Sequence, residues 1–128
     1  MKIEDYSLSS IQSDTWDRLV EDAGVKSPFC RHAWLSLIAA SFPDWRVGLL
    51  LAEQSGEILG GLPYVDSRAF FRQQSHCLPW GTPAGVILAP GAGGEVAGLL
   101  IERWAGRFRG ARLPWRLAIT FPDRYPPG

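Results

Sequence analysis

Leu49-Leu-Leu-Ala-Glu-Gln-Ser-Gly-Glu-Ile-Leu-Gly-Gly-Leu-Pro63 decides the reading of this chain. Two apolar runs meet at Ser55-Gly56, a dipeptide that closes a tight β-hairpin. The outgoing run, Arg46 to Glu53, is apolar on both faces, through Val47, Leu49 and Leu51 on one and Leu50 and Ala52 on the other. That pattern belongs to a central strand covered on both sides. The returning run, Glu57 to Val65, carries Gly60-Gly61-x-Pro63. Glycine inside a strand costs backbone entropy and packs no side chain, so the pair marks a bulge or a close approach to the backbone.

Working outward, Lys2 to Tyr6 reads as a short first strand. Ser13 is placed to cap a helix with Asp14 and Asp17 in its first turn, Trp16, Leu19, Val20 and Ala23 at helical spacing, and Gly24 as its stop. After the connector Ser27-Pro28-Phe29, a second helix puts Trp34, Leu37, Ile38 and Phe42 on one face and ends at Pro43. Phe70 to Cys77 is read as a strand, Leu78 to Gly85 as a turn-rich loop, and Val86 to Leu88 as a short strand remnant. Pro90-Gly-Ala-Gly-Gly94 leads into a third helix with Val96, Leu99, Leu100, Trp104 and Phe108 on its apolar face. Trp115, Leu117, Ile119 and Phe121 then alternate with Arg116, Ala118 and Thr120 as a last strand, and 122–128 form a tail. The order predicts an α/β (α+β mixed) fold: a mostly antiparallel central sheet flanked by helices, in one domain over 1–121, with the sheet expected to be incomplete at its C-terminal end.

Composition sets outer limits. The chain has 128 residues, 46% hydrophobic, with a formal net charge of +0, which suits one globular domain and gives no footing for nucleic-acid binding. No apolar run reaches the roughly 20 residues a membrane span needs, and the start lacks a signal-peptide core, so the expected location is the cytoplasm. Cys30 and Cys77 are too few for a disulfide framework and are read as reduced thiols. Cys30-x-His32 and His76-Cys77 could in principle bind zinc or pair as nucleophile and base, but their spacing does not bring them to one face, and no metal is expected. Glu53 and Glu57 flank the hairpin turn and are read as solvated, not as general bases.

Three features carry binding chemistry. The first is Gly91-Ala-Gly-Gly94 before a helix, where free N–H groups attract anions; the other reading is a plain turn and helix start. It fits neither the dinucleotide pattern, since Val96 stands in the third glycine position, nor a P-loop. The second is Pro79-Trp-Gly-Thr-Pro83, either a rigid ligand-facing aromatic platform or a buried anchor for a long connection. The third is the run of Arg103, Arg107, Arg109 and Arg112, able to hold phosphate or simply to complement a helix C-terminus.

Trp16-Asp17, Pro28-Phe29 with Trp34-Leu35, Trp45, Ala52-x3-Gly56-Glu-Ile-x-Gly60-x-x-Pro63 and Trp80-Gly81-x-Pro83, in that order, resemble the first half of FemAB-like proteins of the GNAT acyltransferase superfamily. The resemblance implies two GNAT-like domains in tandem, of which this is the N-terminal domain or a truncated copy. It also implies transfer of an acyl or aminoacyl group from acyl-CoA or another carrier to an amine, in cell-envelope or exopolysaccharide-related pathways. In such a domain the donor's pyrophosphate meets the N-terminus of the third helix, here at Gly91 and Gly93. Leu88 replaces the Arg or Gln expected at the start of that loop, as suits a first domain that leaves the donor to a second. The acceptor groove would be lined by Arg31, Trp80 and Gly81. Catalytic residues are not assigned. The expected partners are a second GNAT-like domain or a second copy, and a small-molecule or cell-envelope amine. The other readings are a minimal single GNAT domain and a non-catalytic interaction module or inactive remnant.

Overall fold

The computed structural model describes residues 1–69, 72–77, 85–107 and 115–119. Its elements run β1 (Lys2–Ser7), α1 (Ser13–Asp22), α2 (His32–Ser41), β2 (Arg46–Gln54), β3 (Glu57–Ala69), β4 (Arg72–Cys77), β5 (Ile87–Leu88), α3 (Gly94–Gly106) and β6 (Trp115–Ile119), with single 3-10 turns at Leu8–Ser10 and Pro28–Cys30. They form one sheet in the order β1-β2-β3-β4-β6. All pairings are antiparallel except β4 with β6, which is parallel. The expected mixed fold with an antiparallel centre is what forms.

β2 lies inside the sheet, and Val47 to Ala52 are buried without a break. Leu49, Leu51, Val47 and Val65 face the layer of α1 and α2, packing with Trp16, Leu19, Val20, Leu35 and Ile38. Leu50, Ala52, Leu62 and Tyr64 face α3 through Val96, Leu100 and Trp104. The two-sided apolar run thus feeds two cores. At the hairpin tip Ser55 and Gly56 both take positive φ (53° and 83°), the two left-handed residues that match a tight turn to the strand twist.

Both glycine expectations are met together. The register slips between Ala52 and Glu53, because Ala52 pairs Gly60 while Glu53 pairs Ile58, leaving Leu59 as a bulge. Its freed carbonyl accepts from the Ala89 N–H at 2.9 Å. Gly60 then pairs with Leu88 and Gly61 with Ile87, so β5 docks on the edge of β3 that β4 uses farther along. A Cβ on Gly61 would stand 2.5 Å from the Trp16 ring, and one on Gly60 would stand 2.9 Å from the Ile87 carbonyl oxygen. Pro63 falls between the stretch of β3 that pairs β4 and the stretch that pairs β5, where a missing N–H is tolerated.

Several boundaries move. Ser13 is the first helical residue of α1, behind Gln12, and no side chain caps this end. Gly24, at φ +76°, closes the helix as expected, with its N–H donating to Glu21 and that of Val25 to Val20. On α2 the buried pair is Leu35 and Ile38, whereas Leu37 points outward and is 55% exposed. Leu99 on α3 is 40% exposed, so that helix buries Val96, Leu100 and Trp104. β3 runs on to Ala69 and β4 begins at Arg72. Phe108, Phe121 and the tail lie outside the described residues.

A polar cluster fastens the far end of α3 to the sheet. Arg107 pairs with Asp66 and, at 3.6 Å, with Asp5, and its guanidinium stacks 4.0 Å from the centre of the Tyr64 ring. Tyr64 donates to Asp5 at 2.5 Å, while Trp104 Nε1 donates to Ser75 Oγ at 2.8 Å and Ser75 donates to Asp66 at 2.6 Å. Of the basic run, Arg103 stands in the last turn of α3, where a cation is favoured, and Arg107 at the C-cap directs its charge to the sheet carboxylates. Arg109 and Arg112 lie outside the described residues.

Gly61→Ala forces the buried Trp16 ring aside and is expected to cost about 2 kcal/mol in urea unfolding. Gly56→Ala meets open space but a positive φ, and should cost about 1 kcal/mol.

Candidate functional site

The site expected to meet an acyl donor is the start of α3. Leu59 fixes Ala89 from the sheet, the Ala92 N–H donates to Ala89 at 3.0 Å, and Gly91 turns the chain with φ +84°. Gly93 is the N-cap residue and, lacking a side chain, contributes no cap hydrogen bond. Of the first-turn N–H groups, that of Val96 donates to the Gly93 carbonyl at 3.1 Å, and no side chain at the N-cap serves the others. Glu95 stands in that turn, and its carboxylate folds back over Gly93 so closely that a Cβ there would overlap both oxygens. A carboxylate at this end is favoured by the helix dipole. The chain therefore brings its own anion to the place where the resemblance puts a pyrophosphate. Leu88 adds no cation, and Arg103 and Arg107 belong to the opposite end of α3. These residues do not fit a bound diphosphate.

Arg31 is the N-cap residue of α2 and its guanidinium pairs with Glu21 of α1 at 2.9 Å. It rims a polar groove of about 320 Å³ with Asp14, Asp17, Arg18 and Glu21. Asp17 is partly engaged there, since its Oδ1 accepts the His32 N–H at 2.9 Å and caps α2 from the neighbouring helix. Arg18 also borders a second groove, of about 440 Å³, between α1, the hairpin turn and Ala89, with Asp22 and Glu57 on its walls. Arg18, Asp22 and Glu95 were missed in the sequence reading, and Glu57, read there as solvated, is exposed on the groove wall. Only Glu95 carries a local signal, an acid two residues into a glycine-led helix. Trp80 and Gly81 lie outside the described residues.

The cysteines sit in different layers. Cys30 packs among the α1 and α2 residues and Cys77 in the α3 core. Burial pushes the Cys30 thiol up to about 11, and burial followed by the nearby Asp66 charge pushes Cys77 up to about 12. His32 bonds the Leu8 carbonyl and Ser36, each at 3.2 Å. Among the described residues no group of His, Cys, Asp and Glu is arranged to hold a metal ion.

No family model and no curated protein matches the chain in sequence. Solved structures do match in shape. A ribosomal-protein-alanine N-acetyltransferase from Brucella melitensis biovar Abortus 2308 aligns at TM-score 0.63 and 14% identity, over 98% of this chain and 83% of that one. The fold is that of the GNAT acetyltransferases. A probable acetyltransferase aligns at TM-score 0.58 and 13% identity, over 98% of this chain and 82% of its own. A Trypanosoma brucei acetyltransferase aligns at TM-score 0.54 and 15% identity, over 95% and 84%. In this GNAT fold β5 and the loop to α3 are present, while Glu95 occupies the helix start.

Both thiols are expected to resist a disulfide reagent at pH 8 in the folded chain and to react fully once it is unfolded. Because the unfolded thiols ionise near 9 and the folded ones higher, their contribution to stability is complete below pH 9. It declines as the pH rises toward about 11 and beyond, so the unfolding midpoint should fall across that window.

Proposed function

We propose that this chain is the N-terminal, acceptor-binding and docking part of a FemAB-like acyltransferase, with the acyl donor held by a second GNAT-like domain. The observation that carries this reading is the Glu95 carboxylate over Gly93. A first domain relieved of donor binding has no need of an open anion site, and a carboxylate over Gly93 complements the positive end of the helix dipole from within the chain. The resemblance of Gly60-x-x-Pro63 and Trp80-Gly81-x-Pro83 to FemAB-like proteins supplies the rest. The acceptor is an amine. Asp14, Asp17 and Glu21 around Arg31 give the groove on α1 an acidic wall suited to a cation, and Arg31 can orient an acidic group on the same molecule. The domain spans 1–121 and works in the cytoplasm; no described helix is long and apolar enough to cross a membrane.

One observation favours a second reading. The chain covers 83% of the Brucella enzyme's length, which suits a single-domain acetyltransferase.

The two readings separate in an assay of thiol release from acetyl-CoA in the presence of amines. The chain alone should give no release above the uncatalysed rate, and the chain extended through its natural downstream sequence should give amine-dependent release. Equal turnover by the chain alone would overturn the tandem reading in favour of the single-domain one.

A further inference from the structure

β1 ends the sheet, and among the described residues no strand covers its outer edge. Beside it, Ile3 and the outward-facing Leu99 of α3 line a groove of about 590 Å³, with Glu102 and Arg103 on the helix side. An edge strand is a template for another strand, and its side chains decide which strand fits.

We propose that a second copy of this chain fits it, with the two β1 strands antiparallel about a two-fold axis through Ile3. In that register Lys2 stands opposite Glu4 of the partner copy, and Glu4 opposite its Lys2. Ile3 meets its own counterpart, bringing the two Ile3 and Leu99 grooves together over the seam. Lys2 and Glu4 are available for this, since their mutual contact is a loose 3.7 Å and both are exposed (64% and 45%). Asp5 does not disturb it, because Tyr64, Arg46 and Arg107 already engage its carboxylate. Neighbouring registers are worse. An axis through Glu4 sets the two Glu4 side chains against each other, and one through Lys2 sets the two Lys2 side chains against each other. Charges that would block an edge in other registers thus select one.

The test is sedimentation equilibrium of the full chain with charge-swapped variants. Wild type should be a dimer. Lys2→Glu and Glu4→Lys should each weaken dimerisation by about tenfold, since each reverses two symmetry-related cross-strand pairs. The double swap, which restores opposite charges across the axis, should return to within about threefold of wild type. Ile3→Asp should give a monomer, with circular dichroism confirming that it is folded. A wild-type chain that stays monomeric up to about 1 mM would overturn the proposal. So would a dimer indifferent to the single swaps, or a double swap no tighter than either single.

Discussion

The contact on which most of this fold hangs is the indole of Trp16 lying against the backbone of Gly61. Trp16 is 1% exposed, and its Nε1–H donates to the Cys30 carbonyl at 2.7 Å, so a buried polar atom is satisfied while the ring fills the core. One side chain thereby joins α1, the central strand β3 and the turn that leads to α2. The ring reaches the sheet because position 61 has no side chain. On the same two residues of β3, Gly60 and Gly61, the short strand β5 finds its place, and the Leu59 bulge hands a carbonyl to Ala89. The hairpin therefore does more than build the sheet: it sets where the chain turns into α3.

The other end of α3 is held by different physics. Arg107 spans Asp66 and Asp5 over the Tyr64 ring, and Trp104 reaches Asp66 through Ser75. Tyr64 is fully buried, and its hydroxyl occupies space that any side chain on Gly48 would take. Burial, ahead of the Asp5 hydrogen bond, drives its phenol well above the usual range, so it remains a neutral donor. With backbone bonds at its start and an ion network at its end, α3 is fixed in direction, and its first turn points Glu95 at Gly93.

Much of the fold was legible because it rests on short-range rules. Two-sided apolarity in Arg46 to Glu53 reports a central strand, and Ser55-Gly56 reports the turn. The outward turn of Leu37 was not legible, because α2 is apolar nearly all round and periodicity then has no contrast to read. The extension of β3 through Asp66, Ser67 and Arg68 was hidden as well, since its support comes from β4 and, for Asp66, from Arg107. Of the candidate site, Gly91 and Gly93 were singled out by the glycine-rich helix start together with the resemblance, and Arg31 by the resemblance alone. The grooves that gather Arg18, Asp22 and Glu57 depend on how α1 meets the hairpin, which spacing along the chain does not encode.

The proposed function comes down to one carboxylate standing where the resemblance puts the donor's pyrophosphate. Isothermal titration with coenzyme A, comparing the chain with Glu95→Gly, tests that most directly. The account predicts no binding heat for the native chain and measurable binding once the carboxylate is gone and the helix N–H groups are open. Micromolar binding by the native chain, unchanged in the variant, would contradict it.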